Sequence, residues 1–456
     1  MRRRRFIGGI GGIAALGLSG CSDTQPPNET ETQVDSDGDG VPDEHDYAPR
    51  DPDVQSKSDV VTATSSRRPT STQTSRPTQS KTAAPDPTPI QTTTPVPTAT
   101  QTTTPNPTNT IQADSGPLEG VIHHPVEYSA KHATVRIYGE LLDNSYPDGA
   151  ELVAYAQGYP DTTRSDDFFG MGRSDSFSPS MRGESTISVE FVDSVSSNVP
   201  IFYWFVLAPT GEEVSSLSGD EVDYLCQTDR LRERSGDITR ASHPDLPGDD
   251  TANSRYQRHS AEGCYMLEFS GESYRQNWSA GFTVFKHGYI EDLNDRRYND
   301  RRDYVYEALN EGLADELGNI LNDEAEANGI TGDREKVEFL IDFVQNLPYI
   351  PDDVSTGYDD YTKRHIETLV DGGGDCEDSA IMLASLLSSE SFGYGTALIL
   401  PPGHAALGVK GGDGLDGYYY EQDGTRYYYI ETTGRGWDVG EIPDEYRGEE
   451  AYIRVI

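Results

Sequence analysis

An α+β fold, held at the end of a long polar stalk, is what the sequence predicts, and three observations predict it. Residues 57–116 are rich in Ser, Thr, Gln and Pro, as in Thr92-Thr93-Thr94-Pro95-Val96-Pro97, and carry too little apolar surface to form a core. Residues 117–285 alternate polar and apolar side chains in short runs, the pattern of half-buried strands. From about residue 286 helical periodicity comes first and strand-like runs follow. Helices followed by strands, rather than alternating with them, argue against a doubly wound parallel sheet.

The first element is a leader. Arg2 to Arg5 precede Phe6, Ile7 and a Gly/Ala/Leu/Ile run that reaches Leu18. That run is too short to span a bilayer, and it matches an export signal of the twin-arginine type over residues 1–20. Leu18-Ser19-Gly20-Cys21 then resembles a lipobox, whose cysteine is lipidated and becomes the mature N-terminus. The expectation is a protein anchored by lipid to the outer face of the cell membrane.

Residues 21–56 are acidic and polar. Taking Asp35 as position one, acids fall at Asp35, Asp37, Asp39, Asp43 and Asp46 (positions 1, 3, 5, 9 and 12), Gly40 is sixth, and Val41 at seven offers its carbonyl. Alternate oxygen ligands around a glycine turn suit one hard cation, so a calcium loop is expected. Asp46 replaces the longer Glu, Pro42 lies inside the loop and no amphipathic helices flank it. It therefore resembles the aspartate-rich calcium repeats of thrombospondin type 3 or dockerin modules more than an EF-hand. The stalk at 57–116 separates this loop from the folded part, which gives the ion a structural role and leaves catalysis without a cofactor. As a coil the stalk reaches roughly 40 Å. Asn28 and Asn277 stand in N-glycosylation sequons.

In the β-rich region, Thr134–Tyr138 and Ile187–Phe191 alternate, and Ile201–Val206 is a continuous apolar run suited to a buried strand. A β-sandwich is the expected architecture. The four cysteines are Cys21, Cys226, Cys264 and Cys376. With Cys21 lipidated and Cys376 catalytic, Cys226 and Cys264 are expected to bridge in an oxidising compartment.

The formal net charge is −42, spread along the whole chain, and only seven of the 36 basic residues are lysine. Such a surface suits high salt, where ions screen the self-repulsion. No basic patch exists beyond the N-terminus, which excludes nucleic acid as a partner.

Residues 286–456 carry the chemistry. Tyr304–Ala327 and Arg334–Asn346 are helix-like, the latter with Val337, Phe339, Leu340, Ile341, Phe343 and Val344 apolar and Asp333 placed to cap it. Strand-like runs follow at Thr396–Leu400, Ala405–Val409, Tyr418–Glu421 and Tyr427–Thr432. Between them, Gly374-Asp375-Cys376-Glu377-Asp378 opens an apolar helix-like run. A cysteine in the first helical turn sits at the positive end of the dipole, which favours the nucleophilic thiolate. Asp375, Glu377 and Asp378 oppose that field. Asp375 is the simplest N-cap, and Asp378 is expected to pair with an arginine. Period two puts Tyr427, Tyr429 and Glu431 on one strand face. If that strand neighbours the one after His404, Glu431 orients the imidazole, and the imidazole serves Cys376 as base. Asp413, Asp416 and Asp423 compete with Glu431 for the carboxylate role.

Phe343-Val344-Gln345-Asn346-Leu347-Pro348-Tyr349, Glu367-Thr368-Leu369, Gly374-Asp375-Cys376-Glu377-Asp378, Gly403-His404 and Tyr429-Ile430-Glu431-Thr432-Thr433, in that order, resemble the transglutaminase-like superfamily. More narrowly they are similar to its prokaryotic cysteine proteinases. The resemblance covers roughly residues 286–456. It implies a papain-like α+β core, with Cys376 as nucleophile, His404 as general base then acid, and Glu431 as orienting carboxylate where the family usually has aspartate. The oxyanion then takes the Cys376 N–H as one donor. A second donor is Tyr349 or Gln345.

The expected function is a cysteine-dependent amide hydrolase or acyltransferase acting on a peptide or protein. Water as acyl acceptor makes it a peptidase and an amine makes it a transglutaminase; the closer resemblance favours hydrolysis. The competing reading is a non-catalytic surface binding or scaffold protein with a degenerate domain of this type.

Overall fold

The computed structural model describes residues 7–9, 110–113, 122–142, 149–178, 182–211, 223–273, 276–352, 361–412 and 414–456. Cys21, Asn28 and the loop residues Asp35, Asp37, Asp39, Val41, Asp43 and Asp46 lie outside them. Among the described residues, no helix is long and apolar enough to cross a membrane.

The chain is a mixed α+β protein. Strand β1 (Ile7–Gly9) is followed by β2 (Ile111–Gln112), β3 (His124–Tyr128), β4 (His132–Tyr138), β5 (Ala150–Gly158), β6 (Phe168–Arg173), β7 (Glu184–Phe191) and β8 (Ile201–Pro209). Next come β9 (Asp223–Gln227), β10 (Leu231–Arg234), β11 (Asp237–Arg240), β12 (Tyr256–Ala261), β13 (Cys264–Ser273) and β14 (Gln276–Phe285). The runs read from alternation at 134–138, 187–191 and 201–206 fall inside β4, β7 and β8.

Strands β2 to β11 form one continuous antiparallel sheet, in the order β11-β10-β8-β5-β6-β7-β4-β3-β2, with β9 also pairing β8. The expected sandwich of two sheets is thus a single ten-stranded sheet. Val135, Leu152, Val189, Tyr203, Phe205 and Ile238, from both ends of that order, meet in one buried cluster. The sheet therefore bends round its own core rather than stacking on a second one.

Strands β12 to β14, with β1 on the β14 edge, form a separate antiparallel sheet. Its inner face joins the helices. Trp278 and Phe282 sit edge-on to Phe339 and Phe343, with ring centroids 5.3–6.1 Å apart. The boundary expected at 285/286 thus falls inside a packed unit that begins near Tyr256. Tyr159 and Phe202 of the larger sheet pack into the same core, so the two units share buried surface. Asn277 is exposed on β14.

Among the described residues six α-helices lead to the site: α1 (Lys286–Asn294), α2 (Arg301–Asn310), α3 (Leu313–Ala327), α4 (Asp333–Gln345), α5 (His365–Asp371) and α6 (Cys376–Ser388). The run read as one helix from 304 to 327 is broken at Gly312, whose φ of 79° leaves the helical region. The cap of α4 is Gly332, not Asp333. Glu335 turns back to accept the Gly332 N–H at 3.2 Å.

Strands β15 (Thr396–Leu400), β16 (Ala406–Gly411), β17 (Tyr419–Gln422), β18 (Thr425–Ile430) and β19 (Tyr452–Val455) make a third antiparallel sheet, ordered β17-β18-β16-β15-β19. Helix α6 lies at the centre of the unit. Every residue from Glu377 to Leu387 is buried, against α2, α3 and α4 on one side and β15 and β16 on the other. Each fully buried leucine there contributes about 2 kcal/mol of transfer free energy, which anchors the helix that Cys376 opens.

Cys226 in β9 and Cys264 at the head of β13 are free, buried thiols on different sheets. The expected bridge between them is not formed here. Burial pushes both thiols up, Cys264 to about 12, so both are unreactive in the folded chain.

Candidate active site

The loop that delivers Cys376 explains its glycines. Gly372 ends α5 at φ 78°, in the left-handed region. A Cβ on Gly373 would come within 2.2 Å of the Pro348 carbonyl oxygen, and one on Gly374 within 2.3 Å of the Asp378 carboxylate. That close approach lets Tyr349 bridge Gly374 and lets Ile350 donate its N–H to the Gly374 carbonyl at 2.9 Å. The segment bearing Tyr349 is thereby pinned beside the loop that leads into Cys376.

Asp378 holds the start of α6. Its Oδ1 accepts the Lys363 N–H at 2.7 Å, and its Oδ2 accepts the Asp375 N–H at 3.3 Å. The expected arginine partner is a lysine: the fully buried Lys363 ammonium lies beside Asp378, and binds Asp371 at 3.1 Å and the Gly373 carbonyl at 3.1 Å. Glu377 has the arginine instead, with Arg301 of α2 donating to its Oε1 at 2.9 Å.

Cys376 is half-buried at the first position of α6. Its S–H donates to Glu377 Oε2 at 3.4 Å, and the Ala405 N–H lies near Sγ. Burial pushes the thiol well above its usual range, the Asp375 and Glu377 carboxyls push it further, and the Ala405 N–H opposes them. Cys376 therefore rests as a thiol, which corrects the thiolate that the helix dipole alone favours. Burial also raises Asp375, helped by Asp378 and Glu377. Glu377 goes the other way: burial raises it, but the Arg301 charge and a hydrogen bond from Asp375 outweigh burial and hold it below the usual range.

Glu377→Gln removes the like charge and exchanges a charged acceptor of the thiol proton for a weaker neutral one. Both changes favour the anion, so the thiol pKa falls. Iodoacetamide labelling of Cys376 at pH 7 is then expected to rise about tenfold for each unit of fall. Mass spectrometry of the labelled peptide between pH 6 and 10 measures it, and an unmoved midpoint contradicts this electrostatic account.

His404 and Glu431 meet as the strand pattern predicts. Strands β16 and β18 are antiparallel neighbours with Leu407 opposite Ile430. This brings His404, two residues before β16, to Glu431, one residue after β18. His404 Nε2 lies 3.0 Å from Glu431 Oε2, and both side chains are buried. The carboxylate is saturated. Oε2 also accepts the Tyr429 hydroxyl at 3.0 Å; Oε1 accepts the Thr432 N–H at 3.1 Å, the Thr433 N–H at 3.0 Å and the Thr433 hydroxyl at 2.6 Å. Burial alone would raise its pKa, but the bonds from His404 and Thr433 bring it down to about 2. A fixed anion at Oε2 keeps the proton on Nε2 and leaves Nδ1 as the basic nitrogen. Asp416 and Asp423 are exposed in loops away from this pair, and Asp413 lies outside the described residues.

The candidate oxyanion donors separate. The Cys376 N–H opens a helix and has no intrahelical acceptor. Gln345 has no donor left: its amide gives one hydrogen bond to the Glu431 carbonyl at 2.8 Å and one to the Trp437 carbonyl at 3.0 Å, while its Oε1 accepts the Gly436 N–H at 3.0 Å. It fastens the 431–437 segment instead, which removes it as an oxyanion residue. Tyr349 keeps its place beside the loop.

A cleft of about 610 Å³ opens on Glu431, lined by Thr433, Trp437, Ile442, Pro443, Glu445 and Arg447 among others. The residues that pattern reasoning missed are Arg301, Lys363, Ala405 and Tyr446. Their contacts are long-range, so no local spacing marks them. No family model, no curated protein and no solved structure matches the chain.

Proposed function

We propose that the C-terminal unit is a transglutaminase-like cysteine amide hydrolase or acyltransferase, working chiefly as a peptidase, on a papain-like arrangement of helix and antiparallel sheet. The observation that carries this reading is the saturated Glu431 carboxylate bonded to His404 Nε2, with Ala405, the residue after His404, beside the Cys376 thiol. In the proposed reaction the thiol turns from Glu377 to His404 Nδ1 and gives up its proton as Sγ attacks a substrate carbonyl. The Cys376 N–H binds the oxyanion. The imidazolium protonates the departing amine, leaving a thioester on Cys376. Water, deprotonated at Nδ1, then releases the acid and restores the thiol. An amine in place of water yields an isopeptide.

The leader, Cys21 and the Asp35–Asp46 loop complete the proposal: an exported, lipid-anchored enzyme with a structural calcium site at the base of its stalk.

Full-length protein incubated with casein and a fluorescent primary amine separates the acceptors. Peptide fragments with little incorporated amine are expected. Incorporation without fragments would reverse the preference for water. Neither product would favour the scaffold reading, which the protonated resting thiol supports.

A further inference from the structure

Tyr446 closes over the imidazole. Its ring lies on His404 with centroids 4.5 Å apart and planes only 6° from parallel. The His404 side chain is 2% exposed and Tyr446 is 9% exposed. Tyr446 belongs to the connection between β18 and β19, which has no regular secondary structure of its own and is fastened by specific bonds. The Gly440 N–H donates to the Tyr429 carbonyl at 2.7 Å, and the Gly440 carbonyl accepts the Tyr418 N–H at 2.7 Å. The Gly448 N–H donates to the Tyr418 hydroxyl oxygen at 3.0 Å. Gln345 fixes the near end through its bonds at Glu431, Gly436 and Trp437. Gly440 has φ 87°, and a Cβ there would meet Gly417 Cα at 2.7 Å, so this strap runs where only glycine fits. The strap thus holds one aromatic face flat against the group that moves the proton.

We propose that Tyr446 is a positioning residue for His404. Its ring fixes the imidazole plane, keeps water off the Nε2–Oε2 bond, and presents a π face to the imidazolium formed during acyl transfer. A dry hydrogen bond between a fixed anion and an imidazole is stronger than a wet one. A cation over an aromatic face gains stabilisation that a neutral ring does not, so the stack favours the state that follows proton transfer. The ring supplies these effects, so the phenol hydroxyl has no part in them.

The inference rests on the acyl-transfer reading, and two readouts keep the two apart. The first is solvent exchange of the His404 Nε2 proton, followed by NMR of ¹⁵N-histidine-labelled protein. The second is the pH profile of Cys376 acylation by p-nitrophenyl acetate. Tyr446→Phe keeps slow exchange and near-parental acylation. Tyr446→Ala exchanges faster and acylates roughly tenfold to a hundredfold more slowly across the profile. Tyr446→Leu, an apolar cover without a π face, keeps slow exchange but loses acylation rate, and it stands in if the alanine variant unfolds. Parental exchange and acylation in both the Leu and Ala variants would overturn the proposal. So would a Phe variant as impaired as Ala, since that places the effect in the hydroxyl. If the parent does not acylate, the acyl-transfer reading fails, and the exchange rates of the Ala and Phe variants still decide whether Tyr446 shields His404.

Discussion

His404→Ala is expected to lower the kcat/KM of full-length protein for p-nitrophenyl acetate by on the order of 10³-fold, at every pH from 6 to 9. The resting thiol is protonated and bonded to Glu377, so it has no stored thiolate to fall back on. Its proton must leave as the sulfur attacks, and in the proposed reaction Nδ1 of His404 is the base that takes it. An enzyme with a preformed thiolate would lose less, because its nucleophile is already ionised. The variant also takes one of five donors from a buried carboxylate, at about 1–3 kcal/mol. His404→Gln, which retains a donor for Glu431, separates lost chemistry from lost stability: it should fold more stably than the alanine variant and remain as inactive. Steady-state kinetics and denaturant unfolding of the two variants check this.

Glu431→Gln is expected to cost as much or more, on the order of 10⁴-fold in kcat/KM, by favouring the wrong imidazole tautomer. An amide NH₂ also faces groups that are themselves donors. One side of Glu431 receives His404 and Tyr429, the other receives Thr432 and Thr433, and each buried donor left unpaired costs about 1–3 kcal/mol. Acidity gives a second signature. A carboxylate held at about 2, against an ordinary 4.5, contributes roughly 3 kcal/mol. That stability is fully present above pH 4.5 and is lost as pH falls through about 2. Unfolding measured at pH 5 and pH 3 should show this loss in the parent and less of it in Glu431→Gln. An equal loss in both would place the acid sensitivity elsewhere.

Much of the site was legible because its signals are local. A glycine run before an acid-flanked cysteine, a histidine just ahead of a strand, and a tyrosine two residues before a glutamate each follow from backbone period or turn chemistry. The antiparallel pairing of β16 with β18 then turns those signals into a site. What was misread depends on contacts far apart in sequence. Gln345 looked like an oxyanion donor because its motif lies upstream of Cys376, but its amide is used by carbonyls 86 and 92 residues away. Asp378 took the Lys363 backbone N–H with that residue's ammonium nearby, and Arg301 reached Glu377 across 76 residues from an Arg/Asp-rich stretch with no distinguishing pattern. In the β-rich region, alternation reports which side chains face inward but not how many sheets the strands make, so one bent sheet was read as two. The boundary at 285/286 was misplaced for a related reason: β12 to β14 have strand periodicity like their predecessors, yet bury their aromatic residues against the helices.

Rapid-quench mass spectrometry of full-length protein mixed with p-nitrophenyl acetate tests the central claim most directly. The account predicts an acetyl thioester on Cys376 within the first turnover, absent in Cys376→Ala and slowed about 10³-fold in His404→Ala. A parent whose Cys376 acylates no faster than in His404→Ala would contradict it.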